Sequence, residues 1–264
     1  ANPSDREIET IKNLDLRGLG DEVELATLEG IDRFDNLEVL DLTKAKLEKA
    51  EDLENLDLPE LKIFKFSQGK IDNQKPDPEK LRDQIKQFNK LEKCELRGNQ
   101  LDKSFLNGLN LPSLIDLDLS ENQIVDINSV GSGNLVDLER LSLRKNPIKK
   151  TDQPSILRAL DGNPNLEFLD LSEPINIDQS TADVLLNKDE NNTIDLPNLK
   201  NLNLKKTKFR RIQKLQEFPS LEKLNLSGND LDDDDFLVDG GIEPDALKSL
   251  VKLRLLDVSD NEIS

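Results

Sequence analysis

Apolar residues return at one fixed spacing along most of the chain. In LPSLIDLDLSENQI, leucines at 114, 117 and 119 are followed by Asn122 and Ile124. Four further copies with an asparagine in the same place begin at Leu91, Leu138, Leu221 and Leu253. Five copies that keep the apolar frame but lack the asparagine begin at Ile11, Leu37, Leu61, Leu166 and Leu199. Successive copies begin 22 to 33 residues apart, so the chain is built from an internal repeat.

Each repeat predicts a short strand followed by a bend. Side chains alternate along a strand, so the two leucines of each Leu-x-Leu segment point to one face and the residues beside them to the other. An asparagine at the bend has a donor and an acceptor for buried backbone groups, which favours a structural role. The longer repeats have room for helices. In DPEKLRDQIKQF, Asp77 is placed as a cap, and Leu81, Ile85 and Phe88 share one helical face.

This frame resembles the leucine-rich repeat family, and the resemblance covers nearly the whole chain. It implies an α/β fold: a right-handed solenoid, or horseshoe, with a parallel concave β-sheet and short convex helices. We therefore expect a single domain, 1–264, of about ten repeats, in which residues 1–10 form an N-terminal cap.

Composition narrows the function without fixing it. The chain of 264 residues has 54 acidic and 36 basic side chains, a net charge of −18. Such a surface disfavours nucleic acid and anionic membranes, because both attract basic proteins. With no histidine and one cysteine, the chain has no Ser-His-Asp triad and no Cys/His zinc cluster, and it contains no phosphate-binding glycine motif. We expect no enzymatic activity, no cofactor and no metal.

Two aspects of the composition bear on origin and compartment. The chain has no His, Met, Trp or Tyr, which favours a designed or biased source as an alternative to a natural binding module. Cys94 cannot form an intramolecular disulfide, and the cysteine-flanked caps of many extracellular family members are absent. These features favour a cytoplasmic chain over a secreted one, and the expected state is a monomer.

The resemblance implies that a protein partner binds the concave face. Two outward-facing positions per strand make up that face, and Val39, Ile63, Phe168 and Leu255 would be apolar there. Scattered surface apolar residues are common, so the alternative is that these four have no binding role. The predicted partner-binding residues are Val39, Asp41, Ile63, Lys65, Lys93, Glu95, Asp116, Asp118, Arg140, Phe168, Asp170, Asn203, Asn225 and Leu255.

A basic stretch interrupts the acidic background. KKTKFRRIQK has six positive charges at residues 205–214, and Lys205, Lys206, Lys208, Arg210 and Arg211 make a candidate docking patch for an acidic partner. The next repeat begins 22 residues later, which would place Lys208 beside Asp230 and the two arginines beside Asp232 and Asp233. The alternative is therefore a row of surface ion pairs.

Three functions remain open from the sequence. The first is a protein-binding module. The second is an engineered scaffold with no natural ligand. The third, suggested only by some members of the family, is a regulator of an enzyme such as a GTPase.

Overall fold

The computed structural model describes most of the chain, with gaps in the longer connections. The described residues are 5–18, 27–47, 53, 56–71, 74–127, 130, 135–148, 160, 163–174, 196–209, 215, 218–231 and 248–262.

A parallel sheet of ten strands runs through the described residues from one end to the other. Its strands, in spatial order, are β1 (Asn13–Asp15), β2 (Val39–Asp41), β4 (Ile63–Lys65), β6 (Lys93–Glu95), β7 (Asp116–Asp118), β8 (Arg140–Ser142), β9 (Phe168–Asp170), β10 (Asn201–Asn203), β11 (Lys223–Asn225) and β12 (Leu255–Asp257). Spatial order follows chain order, so each repeat adds one turn beside the previous one. The predicted solenoid is confirmed.

The apolar frame fixes the register of the sheet. Each strand has three residues, and the middle one points into the core. Leu117 in β7 pairs with Leu141 in β8, and both are fully buried. The 22-residue step also holds, since Asn201 pairs with Lys223. Because the middle residues are apolar, Cys94 of β6 included, a shift by one residue would expose the core of every turn.

Short helices lie in the connections. Helices span Asp5–Ile8, Pro78–Ile85 and Lys103–Leu106, and a 3₁₀ helix spans Ile31–Arg33. Asp77 caps the second helix by accepting hydrogen bonds from the backbone N–H groups of Glu79 and Lys80, both at 3.0 Å. The ring of Phe88 packs 5.6 Å from that of Phe64, so this segment lies across the core from the sheet.

Several sequence predictions fall partly or wholly outside the described residues. They are the helical turns expected at 153–160 and 180–186, most of that at 243–250, and the first four residues of the expected cap. The rest of that cap includes the helix Asp5–Ile8, whose Ile8 is buried.

Each asparagine bend bonds two consecutive turns. The Oδ1 atom of Asn122 accepts hydrogen bonds from the backbone N–H groups of Asn99 at 2.9 Å and Leu101 at 3.0 Å. Its Nδ2 group donates to the carbonyls of Leu96 at 3.0 Å and Leu119 at 2.9 Å. The same two-turn arrangement recurs at Asn99, Asn146, Asn229 and Asn261. The predicted structural role of this column is therefore observed.

Bends without asparagine are held in other ways. At Gly69, a Cβ atom would overlap the ring of Phe66, so this ring fills the space that a side chain at position 69 would need. The same turn pairs with its neighbour through a second small sheet, in which β3 (Lys46–Leu47) runs parallel to β5 (Lys70–Ile71). At Thr207, the hydroxyl replaces one amide donor and bonds the carbonyl of Leu204 at 2.6 Å.

Candidate functional site

The sheet face turned away from the core carries two parallel columns of side chains. We call the first residues of the ten strands the first outward column: Asn13, Val39, Ile63, Lys93, Asp116, Arg140, Phe168, Asn201, Lys223 and Leu255. We call the last residues the second outward column: Asp15, Asp41, Lys65, Glu95, Asp118, Ser142, Asp170, Asn203, Asn225 and Asp257. The structure therefore brings all the predicted concave-face residues onto one surface.

An apolar pair opens the first outward column. Val39 and Ile63 pair directly on adjacent strands, and both are half-buried. Neither belongs to the buried core cluster. The two side chains therefore form one contiguous apolar patch at the surface, which we call the apolar step.

Charges beside the apolar step neutralise one another. Lys93 Nζ lies 2.9 Å from Asp116 Oδ2 and 3.0 Å from a Glu95 oxygen. Lys65 Nζ lies 3.4 Å from the other oxygen of Glu95. Burial lowers the pKa of Lys93, but the bonds to Asp116 and Glu95 outweigh it, and the net shift is upward. The amine therefore stays protonated within this network.

An arginine stacked on an aromatic ring lies further along the same column. Arg140 and Phe168 pair on adjacent strands, and the Arg140 Cζ atom is 4.2 Å from the centre of the Phe168 ring. At this distance the cation is attracted to the ring face. The nearest carboxylate, Asp116, lies 3.8 Å from Arg140 Nε.

Leu255 is exposed for a different reason. It lies on β12, the last strand of the sheet, which pairs only with β11 among the described residues. Its neighbour Leu256 occupies a core position and is still 38% exposed. The exposure of Leu255 thus reflects its place at the end of the sheet, unlike that of Val39 and Ile63.

The second outward column is largely tied to the backbone. Asp118 Oδ1 accepts from the Ser120 N–H at 2.8 Å and from the Ser120 hydroxyl at 2.5 Å. The same turn, in which a side-chain oxygen bonds the N–H two residues on, occurs at Asp15, Asp41, Asp170, Asn203, Asn225 and Asp257. These side chains shape the bend, so most of this column is structural.

Sequence reasoning missed this bonding, although a signal was present. An Asp or Asn followed two residues later by Ser or Thr occurs at 41, 118, 170, 225 and 257. Such residues bond their own backbone two positions on, which identifies local turns. At Asn225, for example, the Oδ1 atom accepts from the Ser227 N–H at 2.9 Å.

The bends after nine of the ten strands, β2 onwards in this sheet, each hold one of a row of residues in the left-handed conformation. They are Lys44, Gln68, Gly98, Glu121, Lys145, Glu173, Lys206, Gly228 and Asp260, with φ between 52° and 72°. Only two are glycines, and those two were the available sequence signal.

Ion pairs connect the middle of this row. Glu121 bonds Arg97 at 2.9 Å and Lys145 at 3.1 Å, while Arg144 lies 3.0 Å from Glu173. The hydrogen bond from Arg97, helped by that from Lys145, lowers the pKa of Glu121 to about 2. The cations Arg144 and Lys145 are therefore neutralised within the chain.

The basic patch remains unpaired where the structure describes it. Lys206 and Lys208 are exposed and Lys205 is half-buried, and none of the three forms an ion pair among the described residues. Lys208 lies on the turn next to Asp230, whose N–H bonds the Phe209 carbonyl at 2.9 Å, but the two side chains make no ion pair. Arg210 and Arg211, with their predicted acidic partners, lie outside the described residues.

Other chemistry finds little support in the described part of the chain. No cluster of three or more Cys, Asp or Glu side chains there is arranged to hold a metal ion. Every helix among these residues is too short or too polar to span a bilayer. Cys94 fills the middle position of β6, where burial raises the pKa of its thiol and makes it a core residue.

Stacked parallel strands, an inward aliphatic frame and asparagine bends together define a repeat solenoid of the leucine-rich type. The chain has the fold of leucine-rich repeat proteins, which its sequence pattern also resembles. The sequence profile described as "Leucine Rich repeat" matches residues 219–235, a stretch that includes β11.

Known proteins of similar sequence and structure agree with this assignment. Tsukushi from Gallus gallus is 29% identical over 200 residues, which cover 63% of this chain and 54% of that protein. A leucine-rich repeat protein from Leptospira interrogans aligns with a TM-score of 0.66 at 22% identity, over 97% of this chain and 57% of that one. The mouse RP105/MD-1 complex gives the same TM-score at 21% identity, over 97% and 39%. The chain thus spans about half the length of the curated relative it matches.

Proposed function

We propose that the protein is a non-enzymatic module that binds a protein partner on the concave face, chiefly through the first outward column. Leucine-rich repeat proteins commonly mediate protein–protein interactions, and the similar RP105 structure is that of a complex with MD-1. The proposed contact residues are the first-column members of the set predicted from the sequence, with Val39, Ile63, Arg140 and Phe168 as the main anchors.

One observation carries this proposal. Side chains of the first outward column are largely free of bonds to the backbone, whereas seven of the second are held in turns. Apolar and aromatic residues occur at free positions, where they contribute nothing to the bends. Contiguous half-buried apolar groups on an otherwise polar surface are typical of interaction sites.

We further propose that the edge lysines Lys205, Lys206 and Lys208, with Arg210 and Arg211, make a secondary contact to an acidic segment of the partner. Their support is the lack of ion pairs at the three lysines in the described residues. Exposed charges of this kind raise association rates more than affinity, so this contact should depend strongly on salt.

Site-specific photo-cross-linking tests the main proposal. A benzophenone amino acid is placed at Ile63 or at Phe168, and the purified protein is irradiated in an extract of its native source. A matched control carries the same group at Lys86, which is exposed at the end of the convex helix. We expect one protein adduct common to positions 63 and 168 and absent at 86.

The other outcomes are equally informative. Adducts formed only from position 86 would move the interface to the convex side and contradict the proposal. The absence of any adduct would favour a scaffold with no natural ligand.

A further inference from the structure

Arg140 and Phe168 form a preorganised pair in the first outward column. The ring supports the guanidinium from one side at 4.2 Å, and pairing of β8 with β9 fixes the two residues relative to each other. Stacking on a ring face restricts the guanidinium plane and leaves its N–H edges directed outward. The conformational cost of ordering this arginine is therefore largely met before any partner binds.

The hydrogen-bonding capacity of Arg140 is unused. Among the described residues its guanidinium donates no hydrogen bond, and its side chain is 48% exposed. The Asp116 oxygen 3.8 Å from its Nε atom already accepts from Lys93 at 2.9 Å. A guanidinium has five donors in a planar fork, and that fork matches a carboxylate held by two parallel bonds.

From β8 to β11 the two outward columns contain one carboxylate, whereas β7 places Asp116 and Asp118 beside Arg140 and Ser142. In the second outward column of β8 to β11 stand Ser142, Asn203 and Asn225, together with Asp170, which is 8% exposed and accepts from the Ser172 N–H. In the first outward column, Asn201 and the exposed Lys223 follow Phe168.

Acidic side chains near this region lie along the edge where the strands begin. Glu167 is bonded to Lys200 at 2.5 Å, and Glu222 lies 4.0 Å from Arg254. Glu139 is exposed and precedes Arg140. The face between β8 and β11 is thus locally cationic in a chain of net charge −18, and screening limits the reach of the distant charges to about 8 Å at physiological salt.

An unsatisfied amide adds a second polar feature. Asn201 Oδ1 is buried beside Phe168 and accepts no hydrogen bond. Buried polar atoms without a partner are rare and destabilising in isolated chains. A donor from a bound segment would satisfy this atom once the Asn201 side chain turns towards the surface.

From these contacts we propose that the Arg140–Phe168 pair, flanked by Asn201 and Lys223, is a subsite for an acidic–aromatic segment of the protein partner. The carboxylate of an Asp or Glu binds the Arg140 fork, and the adjacent aromatic or aliphatic side chain packs on the exposed part of Phe168. The inference rests on the proposed function and specifies the chemistry of its partner. It sets this subsite apart from the Val39–Ile63 step, whose neighbouring charges are paired and which selects apolar groups alone.

Selection from a random-peptide phage library tests this chemistry without knowledge of the natural partner. The immobilised chain is panned at physiological salt. We expect enriched peptides that place Asp or Glu next to, or one residue away from, Phe, Trp or Leu. Enriched peptides without acidic residues, or no enrichment, would overturn the inference.

Affinity measurements on one selected peptide locate the site. Arg140→Gln should weaken binding by about tenfold or more, the range for loss of a bidentate charge-assisted bond. Arg140→Lys should also weaken it, because lysine keeps the charge and loses the fork. Lys86→Gln makes the same charge change on the convex side and should leave affinity unchanged. Equal affinity for the Arg140→Gln chain would contradict the subsite.

The two proposals fail in different ways. If cross-linking at Ile63 and Phe168 captures a partner but Arg140→Gln binds it normally, the concave face stands and the acidic–aromatic chemistry is wrong. If cross-linking yields adducts only from the convex position, the concave face itself is wrong.

Discussion

The two ends of each strand behave differently. Where strands begin, the side chains of the first outward column contact each other or solvent and are largely free of hydrogen bonds to the backbone. Where strands end, side chains bond the bend: Asp118 caps the next residues, Glu121 is held by Arg97, and Asn122 joins two turns. Three-residue strands thus separate a surface free to vary from one that cannot vary without loss of stability.

This difference explains how an elongated, polar chain keeps its shape. The core is thin, so the bends contribute an unusual share of the specific bonding between turns. The side chains of the first outward column form none of these bonds to the bend. Substitutions there can change what the protein binds, whereas substitutions at the bends change whether it folds.

The largest expected effect is at an asparagine bend. Asn122→Ala removes hydrogen bonds to two turns and leaves buried backbone groups unpaired, so we expect a loss of about 3 kcal/mol in the free energy of unfolding. Urea denaturation measures it. The matched control is Asn201→Ala in the first outward column, where Oδ1 has no donor. Equal losses for the two variants would show that the bends matter no more for stability than the first outward column does.

A glycine pair separates backbone strain from contact at the bends. Gly228 has φ of 66°, and an added Cβ would lie 2.8 Å from Lys206 Cγ. Gly108 has φ of 70° with nothing within 4 Å. Gly108→Ala should cost about 1 kcal/mol, the usual price of a left-handed non-glycine residue, and Gly228→Ala about 2 kcal/mol. Equal melting temperatures would show that the Lys206 stem moves aside freely.

The third prediction compares two aspartates on one strand. Asp118→Ala removes a turn held by two hydrogen bonds and should cost about 1 kcal/mol. Asp116→Ala removes a partly exposed ion pair with Lys93 and should cost less than about 0.5 kcal/mol. Chemical denaturation of the two variants measures the difference in their free energies of unfolding. A larger loss for Asp116→Ala would show that the first outward column, and not the second, has the structural role.

The smallest effect is a dependence on pH. The pKa of Glu121 is lowered from 4.5 to about 2, mainly by Arg97. A carboxylate with a depressed pKa stabilises the fold above its unfolded value, so this contribution is complete above pH 4.5 and is lost as pH falls towards 2. Glu121→Gln should therefore flatten the decline in stability over that range. An unchanged slope would show that the ion pairs of the bend add nothing.

Much of the fold could be predicted from the sequence, because one periodic frame sets both burial and register. The spacing of repeats placed Lys223 beside Asn201, and the same arithmetic places Arg140 beside Phe168. The packing of individual bends could not be predicted, because there one residue takes the place or the hydrogen bond of another. Phe66 takes the space above Gly69, and Thr207 donates with a hydroxyl in place of an amide.

The candidate site was predicted less fully, because exposure alone does not show what a side chain bonds. Asp118 and Asp170 were grouped with Ile63 as binding residues, although their oxygens bond the bend. The repeat spacing correctly predicts that Lys208 and Asp230 lie on adjacent turns. The predicted ion pair between their side chains is absent from the structure. The φ of 58° at Lys208 directs its side chain away from the line expected for an extended residue.

The most direct test of the account measures stability and binding together on two variants. Phe168→Ser and Asp118→Ala are compared by urea denaturation and by affinity for the partner captured through cross-linking. We predict that Phe168→Ser weakens binding at least tenfold with an unfolding free energy within about 0.5 kcal/mol of the parent, while Asp118→Ala does the opposite. Unchanged binding by the Phe168→Ser chain, with weakened binding by the Asp118→Ala chain, would contradict it.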